Sequence, residues 1–274
     1  MPAFRTLELS SPRLEHDGLR FVTVHSRHLH GRGDLTVWAP DAALGAGPLP
    51  LVILLHGVYG SHWAWAFLGA AHLTARRLIE EGRIPPMALA MPSDGLASDG
   101  TGYVTQSTAD YERWILDDVP AAAAAALPAV EAGMRPFIAG LSMGGFGALR
   151  LGGRHPERFR GISAHSSVTR LQQLDGFLGE PFPNSMPVDD ANIADLFLRQ
   201  RDRLPPLRFD CGTEDPLIEA NRKLHLELME HGVTHGYQEF AGGHEWPYWE
   251  RHLVDTLEFF AGILEKERPR DAGH

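Results

Sequence analysis

Ser142 stands between glycines in Gly140-Leu-Ser-Met-Gly144, after the apolar run of residues 135–139 and before the helical pattern GGFGALRLGG. A strand, a sharp turn carrying G-x-S-x-G and a helix together form a nucleophile elbow, which aims a serine hydroxyl outward. Small residues are needed on both sides of that serine, because side chains there would collide with the strand and helix packed alongside. The helix start adds the N–H of Met143 and the positive end of the helix dipole, both suited to the charge that develops on an attacked carbonyl oxygen. A glycine-rich helix start with an N-capping serine is the simpler alternative, and it has the weaker case in this setting.

A serine hydroxyl becomes a nucleophile only when a base takes its proton, and the base must itself be oriented by a carboxylate. The segment LRFDCGTEDPLIEANRKL offers Asp210, Glu214 and Asp215 within six positions. Asp210 falls inside an apolar strand pattern, whereas Asp215 lies in the following loop just before Pro216, expected to open a helix and to hold its neighbour extended. Next comes YQEFAGGHEW, in which a strand ends in a glycine pair and His244. Of fifteen histidines, position selects His244, since it completes the chain order Ser, Asp, His. A second N–H for the oxyanion comes from the strand end LVILLHGVYGSHW, at Val58 in preference to Tyr59. Tyr59 and Trp63 are expected to line the substrate pocket, and His165, at the carboxyl end of the strand pattern GISAHSS, to contact substrate.

These residues need a scaffold that brings several strand ends to one place. LRFVTVHS and DLTVWAP read as strands around the turn-rich RHLHGRGD, an N-terminal antiparallel segment. From residue 51 short apolar runs alternate with helical patterns, which implies βαβ crossovers and a mostly parallel sheet flanked by helices. Ligands of such sheets bind at the carboxyl ends of the strands. Residues 169–206 interrupt the alternation and are expected to form a small cap or insertion, with one helix near DANIADLFLRQ. The whole chain, 1–274, is expected to be a single domain.

With 25 Lys and Arg against 35 Asp and Glu, the formal charge of -10 disfavours nucleic acid or an anionic membrane surface as partner. The single cysteine, Cys211, cannot form an internal disulfide, and the first residues carry no apolar core of a secretory signal, so the expected location is cytoplasmic. Arg32-Gly33-Asp34 is read as turn residues and not as an adhesion tripeptide. His25, His28 and His30 lack a carboxylate or cysteine partner and are read as a histidine-rich turn, so no metal is expected. Homo-oligomerisation is left open.

The stretches LLHGVYGSHWAW, GLSMGGFGALRLGGRHPERF, DCGTEDPLIEANRKLHLELMEHG and FAGGHEWPYWERHL resemble the esterase D family of the α/β-hydrolase superfamily, over residues 18 to 263. That family includes tributyrin-type carboxylesterases, S-formylglutathione hydrolases and mycolyltransferases. The resemblance implies an α/β-hydrolase fold, Ser142 as nucleophile, Asp215 as orienting acid, His244 as base, and the N–H groups of Val58 and Met143 as the oxyanion hole. It implies ester cleavage through an acyl-enzyme, without cofactor or metal, on a small-molecule ester. The stretch HGVYGSHW lacks the cysteine usual in the S-formylglutathione hydrolases, which favours a simple carboxylesterase over a thioesterase, and the expected lack of a secretory signal disfavours a secreted acyltransferase of the mycolyltransferase kind. A catalytically silent binding module is the remaining alternative. Bulky aromatics near the oxyanion strand and a modest insertion point to short acyl chains, up to about six carbons.

Overall fold

The computed structural model describes residues 4–40, 47–179 and 188–267. Four strands of five or six residues are buried at every position: β4 (Leu51–Leu55), β5 (Ala88–Pro92), β6 (Phe137–Leu141) and β8 (Leu207–Gly212). Parallel strands covered by helices on both faces have no solvent side, so their sequences do not alternate. β2 (Leu19–Ser26), by contrast, alternates buried with partly buried positions from Val22 onward. With β1 (Phe4–Leu9), β3 (Gly31–Trp38), β7 (Ile162–His165) and β9 (Gly236–Phe240), these strands form one sheet in the order β1-β2-β3-β5-β4-β6-β7-β8-β9. The pairs from β1 to β5 are antiparallel and those from β5 to β9 parallel. This is the α/β-hydrolase architecture expected, with its N-terminal antiparallel segment.

Two boundaries differ from expectation. β3 begins at Gly31, so Arg32-Gly33-Asp34 lies in a strand paired with His25, Val24 and Thr23, and the turn shrinks to Arg27–His30. The Thr23 hydroxyl donates to Asp34 across that pair. β1 was not anticipated; it is a sheet edge whose side chains are all at least partly exposed, so it carries little hydrophobic pattern.

Helices α2 (Ala71–Glu80) and α8 (Trp246–Glu267) cover one face around Trp65, Phe137 and Phe260. The other face carries α4 (Val119–Ala126), α5 (Met143–Arg154), α6 (Ile193–Gln200) and α7 (Ile218–Glu230). The helical pattern of residues 65–82 is broken into α1 (Ala64–Phe67) and α2, because Ala70 turns left-handed at φ 46°. Ahead of α4, the short α3 (Tyr111–Arg113) widens into a π turn over Trp114–Asp118. Pro120 has no N–H to give the preceding turn and its ring crowds that turn, so the backbone loosens there. Within 169–206, the described residues form two 3-10 turns and α6; residues 180–187 lie outside the described part. Among the described residues no helix is long and apolar enough to cross a membrane.

α5, which Ser142 caps, is anchored by a buried ionic cluster. Glu112 accepts from Arg150 at 2.6 Å, from Arg154 at 3.1 Å and bonds His155 at 2.8 Å. Burial pushes the Glu112 carboxyl up, but His155 and the two arginines outweigh it and hold the carboxyl at about 2, below its usual 4.5. Its folded-state value being the lower, the stabilisation is complete above pH 4.5 and is lost as pH falls toward about 2. Glu112→Gln leaves Arg150 buried without its counter-charge and is expected to lower stability by about 3 kcal/mol at pH 7. Urea unfolding checks this: the gap from wild type is expected to narrow between pH 4.5 and pH 3.

Candidate active site

Ser142 caps α5 with φ 53° and ψ -118°, a conformation that L residues seldom hold. The flanking glycines show what the elbow demands. A Cβ on Gly140 would lie 2.1 Å from the Gly144 carbonyl oxygen, and one on Gly144 would lie 2.3 Å from that of Leu55. Strand β6, helix α5 and the end of β4 therefore approach as closely as backbone allows. The Ser142 N–H is held by the carbonyl of His165 at 3.0 Å, so β7 fixes the turn from the other side.

His244 follows β9 and reaches Ser142 across the strand ends. Its Nε2 lies 3.0 Å from the Ser142 Oγ, and its Nδ1 lies 2.8 Å from Asp215 Oδ2. With Nδ1–H donated to the carboxylate, Nε2 is left as the acceptor facing the serine hydroxyl. Two backbone bonds join the loops that carry acid and base: Thr213 N–H to Phe240 O at 2.8 Å, and Glu214 N–H to Gly242 O at 3.0 Å. Asp215 makes an Asx turn, its Oδ1 accepting from Leu217 N–H at 2.8 Å. Helix α7 accordingly starts at Ile218, two residues after Pro216 and not at it. Burial raises the Asp215 carboxyl, but hydrogen bonds from His244, Leu217 N–H and Ser166 outweigh it and hold the group ionised below its usual range. The other two carboxylates are elsewhere: Glu214 is exposed, and Asp210 is fully buried against Arg208, His165 and Tyr248.

The loop after β4 lies directly on the serine. A Cβ on Gly57 would be 3.2 Å from Ser142 Cβ. The Gly57 carbonyl takes bonds from His56 Nδ1 at 2.7 Å and Gly60 N–H at 3.1 Å, while His56 Nε2 accepts from Asp94 N–H at 3.1 Å. That arrangement requires a neutral His56, and burial holds its pKa down. Because the peptide is trans, anchoring the Gly57 carbonyl turns the Val58 N–H to the opposite side. Tyr59 is excluded as the donor, since its N–H bonds Asp99 O at 3.0 Å.

Of the three residues expected to meet substrate, Tyr59 is 71% exposed and stands edge-on to Phe177, and Trp63 is 42% exposed at the start of α1. His165 requires correction. It is completely buried, with Nδ1 at 2.9 Å from Asp210 and Nε2 at 2.9 Å from the Thr256 hydroxyl, so neither ring nitrogen can reach a ligand. Its place is beneath the site, where its carbonyl holds Ser142. Sequence reasoning passed over Trp249 and Trp246 on α8. Trp249 stands edge-on to His244 at 5.0 Å, and Trp246 stands edge-on to Trp249 at 5.2 Å. Their appearance directly after His244, in HEWPYW, was the available signal.

Comparison with known proteins bears on the fold and the family. The chain is 25% identical over 237 residues to an acetyl esterase of Caldicellulosiruptor saccharolyticus, covering 79% of this chain and 85% of that one. It is 24% identical over 282 residues to an esterase of Mycobacterium tuberculosis, covering 87% of this chain but only 57% of that longer protein. Among solved structures, a ferulic acid esterase superposes with a TM-score of 0.78 at 23% identity, covering 94% of this chain and all of that one. An S-formylglutathione hydrolase of Agrobacterium tumefaciens gives 0.73 at 19%, covering 91% and 97%, and these two likenesses carry the fold. The sequence model of the Putative esterase family matches residues 26–260. The chain therefore belongs to that family of carboxylic ester hydrolases.

Proposed function

We propose that the chain hydrolyses short-acyl carboxylic esters through a covalent acyl-Ser142 intermediate. The observation that carries this reading is the continuous hydrogen-bonded chain from Ser142 Oγ through His244 to Asp215, at 3.0 and 2.8 Å. His244 Nε2 takes the hydroxyl proton as Ser142 Oγ bonds to the ester carbonyl carbon. The N–H groups of Val58 and Met143 receive the charge that moves onto the carbonyl oxygen, and Asp215 stabilises the imidazolium. The carbon–oxygen bond to the alcohol then breaks, and His244 returns its proton to the departing alkoxide. A water molecule, deprotonated by the same nitrogen, attacks the acyl-enzyme and releases the acid, with Ser142 recovering its proton.

The short-acyl preference rests on what surrounds the serine. Tyr59 and Phe177 meet edge-on beside the oxyanion loop, and Trp246 and Trp249 crowd the His244 side. With one small insertion and no large lid in the described part, long chains find little enclosed apolar surface. A panel of p-nitrophenyl esters tests this. Acetate and butyrate are expected to give kcat/KM about tenfold or more above dodecanoate, and the reverse order would overturn the preference. No turnover of any ester would overturn the hydrolytic reading itself. Adding methanol or glutathione to the same assays separates hydrolysis from acyl transfer, since hydrolysis predicts free acid as the main product.

A further inference from the structure

The triad is assembled from two bodies. The acid and base loops form one, joined by the backbone bonds that run from Thr213 and Glu214 to Phe240 and Gly242, just ahead of His244. The nucleophile elbow forms the other, its Ser142 N–H held by His165 O and its carbonyl by Val168 N–H at 3.2 Å. Asn221, completely buried in the first turn of α7, reaches between them. Its Nδ2 donates to Ser167 O at 2.9 Å and to Leu217 O at 3.0 Å. Both amide protons are used in this way. Turned over, the amide would set Oδ1 against two carbonyl oxygens, so the two acceptors fix its orientation.

Each acceptor leads directly to a member of the triad. The Ser167 carbonyl and the Val168 N–H belong to one trans peptide, so they point to opposite sides of a rigid plane. One side takes the bond from Asn221, and the other gives the bond to Ser142 O. Ser167 also lies close on the first turn of α5, where a Cβ on Gly145 would come within 3.0 Å of Ser167 Cβ. Leu217, whose carbonyl takes the second bond from Asn221, gives its own N–H to Asp215 Oδ1 at 2.8 Å. We propose that Asn221 is a positioning residue that sets the acid–base pair in register with the nucleophile, a role that rests on the hydrolytic reading above. His244 Nε2 must stay within hydrogen-bond reach of Ser142 Oγ, and a slip of about 1 Å between the two bodies would break that alignment.

Asn221→Leu keeps the bulk of the side chain and removes both donations. Asn221→Ala removes them with a strong helix former that strains nothing, and carries the test should the leucine variant fail to fold. Each is expected to lower kcat on p-nitrophenyl acetate by about tenfold to 100-fold, with KM within about twofold. The melting temperature of Asn221→Leu is expected to fall by no more than about 10 °C, since Ser167 O loses one bond while Leu217 O keeps the backbone N–H of residue 221. In a His244→Ala background, where no base is left to align, either substitution is expected to cost less than about twofold more. A mere loosening of the elbow would lower that residual rate as well. Wild-type kcat in a folded variant, or an undiminished further loss in the His244→Ala background, would overturn the proposal. If wild type turns over the ester, the hydrolytic reading stands whatever these variants show.

Discussion

Ser142→Ala is expected to lower kcat for p-nitrophenyl acetate by on the order of 10⁴-fold or more while the protein keeps its fold. The size follows from what is removed. No covalent intermediate can form, and His244 Nε2, 3.0 Å from the missing oxygen, has no proton to take. What survives is binding and the oxyanion N–H groups, which act on a water attack that the site does not position. Stability should change little, because the elbow is held by backbone: Ser142 N–H to His165 O, and the serine carbonyl to Phe146 N–H at 3.1 Å and Val168 N–H at 3.2 Å. Its φ of 53° is kept by those bonds with alanine as with serine. A variant within tenfold of wild-type kcat, with unchanged circular dichroism, would remove Ser142 from the mechanism.

The second large effect is expected at the acid. Asp215→Asn is predicted to lower kcat by about 10³-fold or more, and Glu214→Gln and Asp210→Asn by much less. An amide in place of the carboxylate cannot carry the charge that stabilises the His244 imidazolium, and its NH2 group turned to Nδ1 would favour the wrong tautomer. Glu214 is exposed and bonds the base loop through its backbone, which the glutamine variant retains. Asp210→Asn disturbs a different set of groups: it weakens the buried pairing with Arg208 at 2.9 Å and with Tyr248 at 2.9 Å, so its main cost falls on stability. Parallel kcat and thermal-melt measurements separate the two classes. A larger kcat loss in Glu214→Gln or Asp210→Asn than in Asp215→Asn would reassign the acid.

The parts of this molecule legible in its sequence are those whose cause is local. Runs such as Leu51–Leu55 and Phe137–Leu141 had to be strands covered on both faces, and Gly140 and Gly144 declared the tight elbow between β6 and α5. Asp215 and His244 were reachable because each follows a strand directly, and strand ends converge in this topology. His165 also ends a strand, yet it points into the interior, where Asp210 on β8 and Thr256 on α8 claim its two nitrogens. Nothing local to GISAHSS distinguishes that inward direction from an outward one. The bond from Asn221 to Ser167 is hidden for the same reason, since 54 residues separate them and only the packing of α7 beside the end of β7 joins them. The edge strand β1 lacked pattern because the sheet asks it to bury little, and the break between α1 and α2 lies at Gly69 and the left-handed Ala70.

The most direct test of the central claim is to treat the protein with a fluorophosphonate and locate the adduct by peptide mass spectrometry. The geometry of Ser142, His244 and Asp215 predicts a single stoichiometric adduct on Ser142, with esterase activity lost in parallel. Labelling on another residue such as Ser107 or Ser166, or full activity remaining after Ser142 is occupied, would contradict the account.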